Sequence, residues 1–219
     1  MLEEEKETVV AYAKTETEKP PRLTPQEYLE REQKAETKSE YHGGIVVAMA
    51  GASPEHNTIT SNVHGELYGQ LRGKDCRPFV SDLRVRVPEC DKYYYPDVVV
   101  TCSEPNYEEM AGIRSLLNPT LIIEVLSDST ERTDRGEKWM CYQTLESLQS
   151  YVLISQDKPL IEVYRRQENG WFYTAVTGLE SRVALDAIGC ELKLADIYAR
   201  VPFRVTPPPQ DTDHRTAQD

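Results

Sequence analysis

The stretch NPTLIIEVLSDSTERTDRGEKWMCY, Asn118 to Tyr142, decides how this chain folds. It opens on an apolar, β-branched run, Thr120 to Leu126, interrupted by one charge, Glu124. Such a run lacks the alternation of a half-wet strand and suits a strand covered on both faces. Beyond it, Ser129, Thr130, Thr133 and Asp134 are all candidate caps, and the spacing predicts a helix within about 131–148. The apolar stripe of that helix is Cys141, Tyr142, Leu145 and Leu148. Lys138 continues the stripe one turn toward the N-terminus and Asp134 one turn further, so the lysine points toward the sheet.

A second apolar strand is interrupted in the same way. In Tyr95 to Thr101 (YPDVVVT), Asp97 precedes three valines. A carboxylate in a buried strand costs several kcal/mol unless a cation or several donors compensate it. With a period of two, Asp97 and Val99 share a face, as do Ile122, Glu124 and Leu126. If the strands are neighbours, both carboxylates converge on one Mg²⁺ or Mn²⁺, which prefers hard oxygen ligands. The alternative is that each acid pairs with an arginine or sits at a strand end; two together favour the metal. Lys138 would then orient a water nucleophile or offset charge on a phosphorane, where without the carboxylates it would read as a snorkelling core-edge lysine.

Working outward, Thr24-Pro25 with Glu27 opens a short helix, and Gly44 to Ala50 (GIVVAMA) has the length of a strand. Residues 54–72 place Ile59, Val63, Leu67 and Leu71 four apart, an amphipathic helix. Phe79 to Val87 alternates and predicts one half-exposed strand. Ser150–Ser155, Leu160–Arg166 and Gly170–Val176 predict a meander, followed by a short strand or two and a helical turn at Ala195–Ala199. The fold class is α+β, a mixed sheet with helices between its segments.

Of 219 residues, 39% are hydrophobic and 28% charged, with 25 Lys+Arg against 37 Asp+Glu and a formal net charge of -12. Residues 41–204 still carry 23 acidic and 17 basic side chains, which excludes a grip on nucleic acid by bulk charge. No apolar run approaches the ~20 residues of a membrane span, and MLEEEKETVV is acidic where a signal peptide is basic. The expectation is a cytoplasmic protein. Its five cysteines, odd in number and without a CxxC, are expected to be reduced thiols. Residues 1–21 are expected to be a flexible acidic tail, 22–204 one domain, and 205–219 a disordered Pro-rich tail.

The four histidines (42, 56, 64 and 214) form no HExxH, and there is no GxxxxGK[ST] or GxGxxG. Nucleotide-cofactor chemistry has no support. Basic residues expected near the carboxylates are Arg84, Arg86, Lys92, Arg132, Arg135, Arg165 and Arg166. Tyr93, Tyr94 and Tyr95 fit a strand entered from a turn, covering the sheet, better than a base-stacking run.

PDVVV, then NPTLIIEVLSDSTERTDRGEKWMCY, then SYVLI resembles the Uma-type restriction endonuclease family of the PD-(D/E)XK nuclease superfamily. Ser39-Glu40-Tyr41-His42-Gly43-Gly44-Ile45-Val46-Val47-Ala48-Met49 with Pro54-Glu55-His56 resembles that family's opening, and the likeness runs from about Leu23 to Tyr198. The resemblance implies a restriction endonuclease-like core and Mg²⁺- or Mn²⁺-dependent hydrolysis of DNA phosphodiester bonds. Carried over, Asp97 and Glu124 are catalytic metal ligands and Glu40 completes the metal shell. Leu126 stands at the position of the superfamily's lysine, so Lys138 would be that lysine, migrated to the helix. His56 also matches a family position, although a His in a first helical turn is more often a cap or a surface residue. Cutting both strands of a duplex calls for two sites, hence a homodimer. A catalytically silent nuclease-fold module binding nucleic acid or protein, and a small-phosphoester hydrolase, are the competing readings.

Overall fold

A computed structural model describes residues 22–203. The two expected tails lie outside the described residues.

The described residues start with α1 (Pro25–Glu32), opened by a capping box in which the Thr24 hydroxyl accepts from the Glu27 N–H and the Glu27 carboxylate accepts from the Thr24 N–H. The hairpin β1 (Ser39–His42) and β2 (Ile45–Ala48) turns through Gly43 and Gly44, both at positive φ. Then comes α2 (Pro54–Leu71), capped by Ser53, with Ile59, Val63, Leu67 and Leu71 buried as the four-residue spacing requires. β3 (Arg77–Val80), β4 (Val85–Val87), β5 (Lys92–Tyr94) and β6 (Val98–Thr101) follow. β7 (Tyr107–Met110) and β8 (Ile113–Leu116) form a hairpin before β9 (Leu121–Leu126). After β9 come α3 (Glu131–Thr133), a π-helical turn (Asp134–Lys138) and α4 (Trp139–Tyr142). β10 (Ser150–Ser155), β11 (Leu160–Gln167), β12 (Gly170–Thr177), β13 (Arg182–Leu185), β14 (Cys190–Lys193) and α5 (Leu194–Ile197) complete it.

Among the described residues the strands form two six-stranded sheets and one hairpin. One sheet runs β2-β1-β5-β4-β8-β7, the other β12-β11-β10-β9-β6-β3, and β13 pairs with β14. The second sheet is mixed, since β9 and β10 are parallel while β6 runs antiparallel to β9. The α+β class with helices flanking mixed sheets is therefore what the chain adopts. β6, β9 and the first five residues of β10 are fully buried, as their continuous apolar runs imply.

One core of the second sheet packs on α2, the β13–β14 hairpin and α5. The opposite face packs on α4 and on β4, β5 and β8 of the first sheet, with Val85, Tyr94, Val99, Ile122, Tyr142, Tyr151 and Leu153 in contact. Ile123, fully buried at the centre of β9 and flanked by Val98 and Val152, is a sensitive probe of the first core. Ile123→Ala is expected to destabilise the protein by about 2–5 kcal/mol, read as a lower urea midpoint at unchanged slope.

Four expectations change. Phe79 to Val87 is not one strand: β3 and β4 belong to different sheets, because Ser81 at φ 44° turns the chain between them. The helix expected to reach 148 ends at Tyr142, and Leu145 and Leu148 are buried by turns instead. Arg166 holds those turns, donating to the Gln143, Leu145 and Leu148 carbonyls. The β7–β8 hairpin lies in a segment without a strand signal. Finally, four of the five cysteines are paired, Cys76 with Cys102 and Cys90 with Cys141, leaving Cys190 buried and free. Cys76 and Cys102 flank partner residues Arg77 and Thr101 of an antiparallel pair, a proximity that sequence spacing does not reveal.

Thiol titration of the unreduced, denatured chain is expected to count one thiol. Five would show that the pairs do not form and would fit a reducing compartment.

No helix among the described residues is long and apolar enough to cross a membrane.

Candidate active site

Asp97 and Glu124 face each other across neighbouring strands. The β6–β9 register pairs Val98 with Ile123 and Val99 with Ile122, and one step further it sets Asp97 against Glu124. The Asp97 N–H donates to Glu124 Oε2 at 3.3 Å, and the Val125 N–H donates to Asp97 Oδ2 at 2.7 Å. Both carboxylates lie on the face shared with Val99, Ile122 and Leu126, as the period of two requires.

Lys138 reaches the same point from the opposite layer. Its Nζ lies 3.1 Å from Glu40 Oε1, 3.3 Å from Glu124 Oε1 and 3.3 Å from Asp134 Oδ1. The ring of Tyr94 lies beneath it, 5.5 Å away. Lys138 lies at the end of the π-helical turn. Asp134 and Lys138 are both buried on the inner face while Glu137 is exposed, and single π turns of this kind recur at functional sites. The Tyr151 hydroxyl donates to the Asp134 carbonyl and holds the turn from β10.

Glu40 arrives from β1. Its carboxylate takes the Lys138 ammonium, the Tyr95 N–H at 3.3 Å and His42 Nε2 at 3.3 Å. Glu40 therefore sits on the ammonium, 3.1 Å from it, although the sequence reading assigns it to a metal shell. Two residues that the sequence reading did not give a role are joined to the carboxylates. The buried Tyr142 hydroxyl donates to Glu124 Oε1 at 3.2 Å, and His56, in the first turn of α2, places Nε2 3.2 Å from Asp97 Oδ2. Tyr142 was legible only as an apolar stripe position. The only signal for His56 was its match to a family position.

The electrostatics follow from this crowding. Burial pushes the Glu124 carboxyl well above its usual range; Lys138 pulls it back, and the charges of Asp134, Asp97 and Glu40 push it up again. Burial likewise raises Asp134 against the pull of Lys138. For Lys138 itself, burial favours the neutral amine, but Glu124, Glu40 and Asp134 outweigh it and hold the ammonium well above its ordinary pKa. Burial opposes the charge on Glu40, yet His42 and Lys138 keep its carboxyl low. At His56 burial acts against the proton, and the bond to Asp97 outweighs it, raising the imidazole.

Three carboxylates, Glu40, Glu124 and Asp134, thus surround one ammonium, and Asp97 is joined to Glu124 through its N–H, leaving an excess of negative charge that suits a further cation. Mg²⁺ needs only one or two protein carboxylates because it keeps several of its waters, so the Asp97–Glu124 pair fits such an ion as a donor set. Among the described residues no three His, Cys, Asp or Glu side chains stand as a ready metal cage. Around Glu40, Glu124 and Asp134 the central place is taken by the Lys138 ammonium.

Residues 25–195 match the family described as "Uma2: Putative restriction endonuclease". The chain belongs to the Uma2 family. Two uncharacterized proteins of Synechocystis sp. are similar to it, one 36% identical over 162 residues (74% of this chain, 91% of the relative) and one 33% identical over 183 residues (84% and 95%). A crystal structure of a "putative nuclease belonging to DUF820" from Anabaena variabilis shares the fold, with a TM-score of 0.64 at 23% identity over 80% of this chain and 97% of that one. The expected likeness in family and fold is borne out.

The basic residues of this Uma2 chain are placed otherwise than expected. Arg84 lies buried, donating to the Tyr95 hydroxyl, and Arg86 pairs with Asp91 over the Tyr93 ring. Lys92 pairs with Glu137, and Arg135 with Glu131 and Glu162. Arg165 bonds Thr174 and the Ala184 carbonyl, and Arg166 the turns after α4. Arg132 alone of the seven is exposed with no such partner among the described residues. Tyr93, Tyr94 and Tyr95 are all buried, in keeping with a strand that covers the sheet.

Proposed function

We propose that this chain is a metal-dependent DNA endonuclease hydrolysing phosphodiester bonds as a homodimer. One observation carries the proposal: Asp97 and Glu124 stand opposite each other on buried neighbouring strands, with the Lys138 ammonium 3.3 Å from Glu124. An acid pair of this kind, Glu124 buried and Asp97 half-buried, has no purely structural need, since apolar residues of equal size would pack there at no electrostatic cost. In this reading Asp97 and Glu124 hold Mg²⁺ or Mn²⁺. Bound there, such an ion would supply Lewis-acid chemistry, polarising the scissile phosphate and lowering the pKa of a coordinated water.

The chain's own residues do the rest. The Lys138 ammonium sits beside the charge that develops on the phosphate, and Glu40 and Asp134 keep it charged and in place. Tyr142 fixes Glu124, and His56 fixes Asp97.

The test is cleavage of supercoiled plasmid with Mg²⁺ or Mn²⁺, comparing the wild type with Lys138→Ala. Metal-dependent nicking by the wild type, lost on addition of EDTA and in the variant, supports the proposal. Unchanged cleavage in the variant means that Lys138 is structural or that a contaminant cuts, and no cleavage by the wild type with either metal defeats the proposal. One observation favours the silent module in that event: the ammonium already satisfies three carboxylates without any ion. That module would bind nucleic acid or protein stably without cutting.

A further inference from the structure

Lys138 and Tyr142 reach Glu124 from a segment that does not hold itself. Residues 131–142 are three short helical pieces in succession, and isolated helices below about 12–15 residues are marginal in water. Their placement depends on neighbouring layers. Tyr142 packs against Tyr94 and Tyr151, and the Tyr151 hydroxyl donates to the Asp134 carbonyl. Toward the first sheet there are two further ties. Lys92 pairs with Glu137, whose side chain is half exposed, and such pairs hold weakly. The other tie is covalent, the bond between Cys90 and Cys141, 51 positions apart.

The place of that bond matters. Cys90 ends the 3₁₀ turn Pro88–Cys90 between β4 and β5. Cys141 stands in α4, next to Tyr142 and three residues after Lys138. The bond therefore fastens the first sheet to the turn of helix that delivers both donors. Its ends differ in access: Cys90 is half-buried and Cys141 buried, so a thiolate from solution meets the Cys90 sulfur first. The second disulfide, Cys76 with Cys102, has no such reach. It joins β3 to β6 beside the Arg77–Thr101 pair, which the strand ladder already holds, at the end of β6 away from Asp97. Disulfides that occur in reducing compartments are usually transient and redox-sensing.

Resting on the nuclease reading above, we propose that the Cys90–Cys141 bond is a redox switch of the carboxylate site. Closed, it holds Lys138 and Tyr142 on Glu124; opened by a dithiol reductant, it frees α4. One thiolate of the reductant attacks Cys90 Sγ, the bond to Cys141 breaks, and Cys141 leaves as a thiolate that takes up a proton. The second thiol of the reductant then attacks the mixed disulfide and releases Cys90 as a thiol. Two electrons pass to the protein, and the reductant ends as its own disulfide.

Hydrogen–deuterium exchange of the full chain, followed by mass spectrometry over residues 134–148, reads the helix without reference to cleavage. Plasmid nicking with Mg²⁺ is measured on the same preparations after dithiothreitol has been removed without air. Reduction of the wild type is expected to speed exchange in this segment by at least about tenfold. Cleavage is expected to fall by about tenfold or more, since misplacement by about 1 Å is enough for that. Oxidised glutathione should restore both. Cys90→Ser is expected to exchange fast and cleave slowly from the outset and to ignore the reductant. The double variant Cys76→Ser with Cys102→Ser is expected to follow the wild type in both states. Should Cys90→Ser fail to fold, the wild type before and after reduction still decides.

Exchange that reduction leaves unchanged, or five free thiols in the unreduced chain, overturns the inference and leaves the nuclease proposal standing. So does faster exchange with unchanged cleavage. A response that disappears in the double variant assigns the effect to Cys76–Cys102 and also overturns it. Cleavage in neither state defeats the nuclease proposal, and the exchange difference by itself then upholds the fastening of α4 by this bond.

Discussion

Lys138→Ala is expected to lower plasmid cleavage by about 10²–10³-fold and to destabilise the fold by about 3–5 kcal/mol at neutral pH. Both effects have one cause. The substitution removes the ammonium from among Glu40, Glu124 and Asp134 and leaves three buried carboxylates facing one another. The loss of stability depends on pH in a definite direction. Glu124 and Asp134 already titrate above their usual range, so folding favours their protonated forms. A carboxyl with a raised folded pKa destabilises the fold as pH climbs from its unfolded value through its folded one. Without the ammonium that rise grows, so the gap in thermal midpoint between variant and wild type should be wide at pH 7.5 and narrow toward pH 5. A gap that stays constant with pH would mean that Lys138 contributes only packing. Lys138→Met, which keeps the chain length without the charge, should behave like the alanine variant if charge is the cause.

Glu124→Gln is expected to abolish metal-dependent cleavage, about 10³-fold or more, while unfolding within about 1 kcal/mol of the wild type. The reasoning separates function from stability. Glu124 is buried and raised, so the ionised carboxylate is costly where it stands, and a neutral amide of the same shape relieves that cost. Against this, the carboxylate accepts from the Asp97 N–H on one oxygen and from Tyr142 and Lys138 on the other, whereas an amide has only one oxygen. One acceptor is lost and one buried charge removed, and the two changes nearly offset. Isothermal titration with Mn²⁺ and plasmid cleavage on the same preparation check the prediction. Unchanged cleavage would remove Glu124 from the reaction. A loss of several kcal/mol in stability would mean that the carboxylate serves the fold.

A milder change completes the set. Tyr142→Phe removes one donor from Glu124 and no apolar volume, so cleavage should fall by about tenfold or less and stability by about 1 kcal/mol.

Much of this arrangement was legible in the residues themselves. VVV after Asp97 and LIIEVL around Glu124 are continuous apolar runs, and burial on both faces follows directly from that pattern. A period of two then puts both acids on one side, and an i, i+4 spacing puts Asp134 and Lys138 together on the helix stripe. The side on which each acid stands in its own strand and the stripe on the helix are local consequences of backbone geometry. The sequence by itself determined them, along with α2 and the three-strand meander from β10 to β12, whereas the pairing of β6 with β9 that brings the acids together is tertiary. What depends on distant partners was decided only in the tertiary structure. Glu40 lies 84 positions before Glu124, and nothing along the chain says whether its carboxylate meets a metal shell or the Lys138 ammonium. Six arginines and lysines count as available charge in a composition, yet each is taken up by an acid, a hydroxyl or a carbonyl that the fold brings near. The alternation from Phe79 to Val87 looked like one strand because side-chain period survives a turn, whereas the positive φ at Ser81 sends its two ends into different sheets. Side-chain period is a property of neighbours in sequence, while the partner that satisfies a charge is chosen by packing across the whole chain.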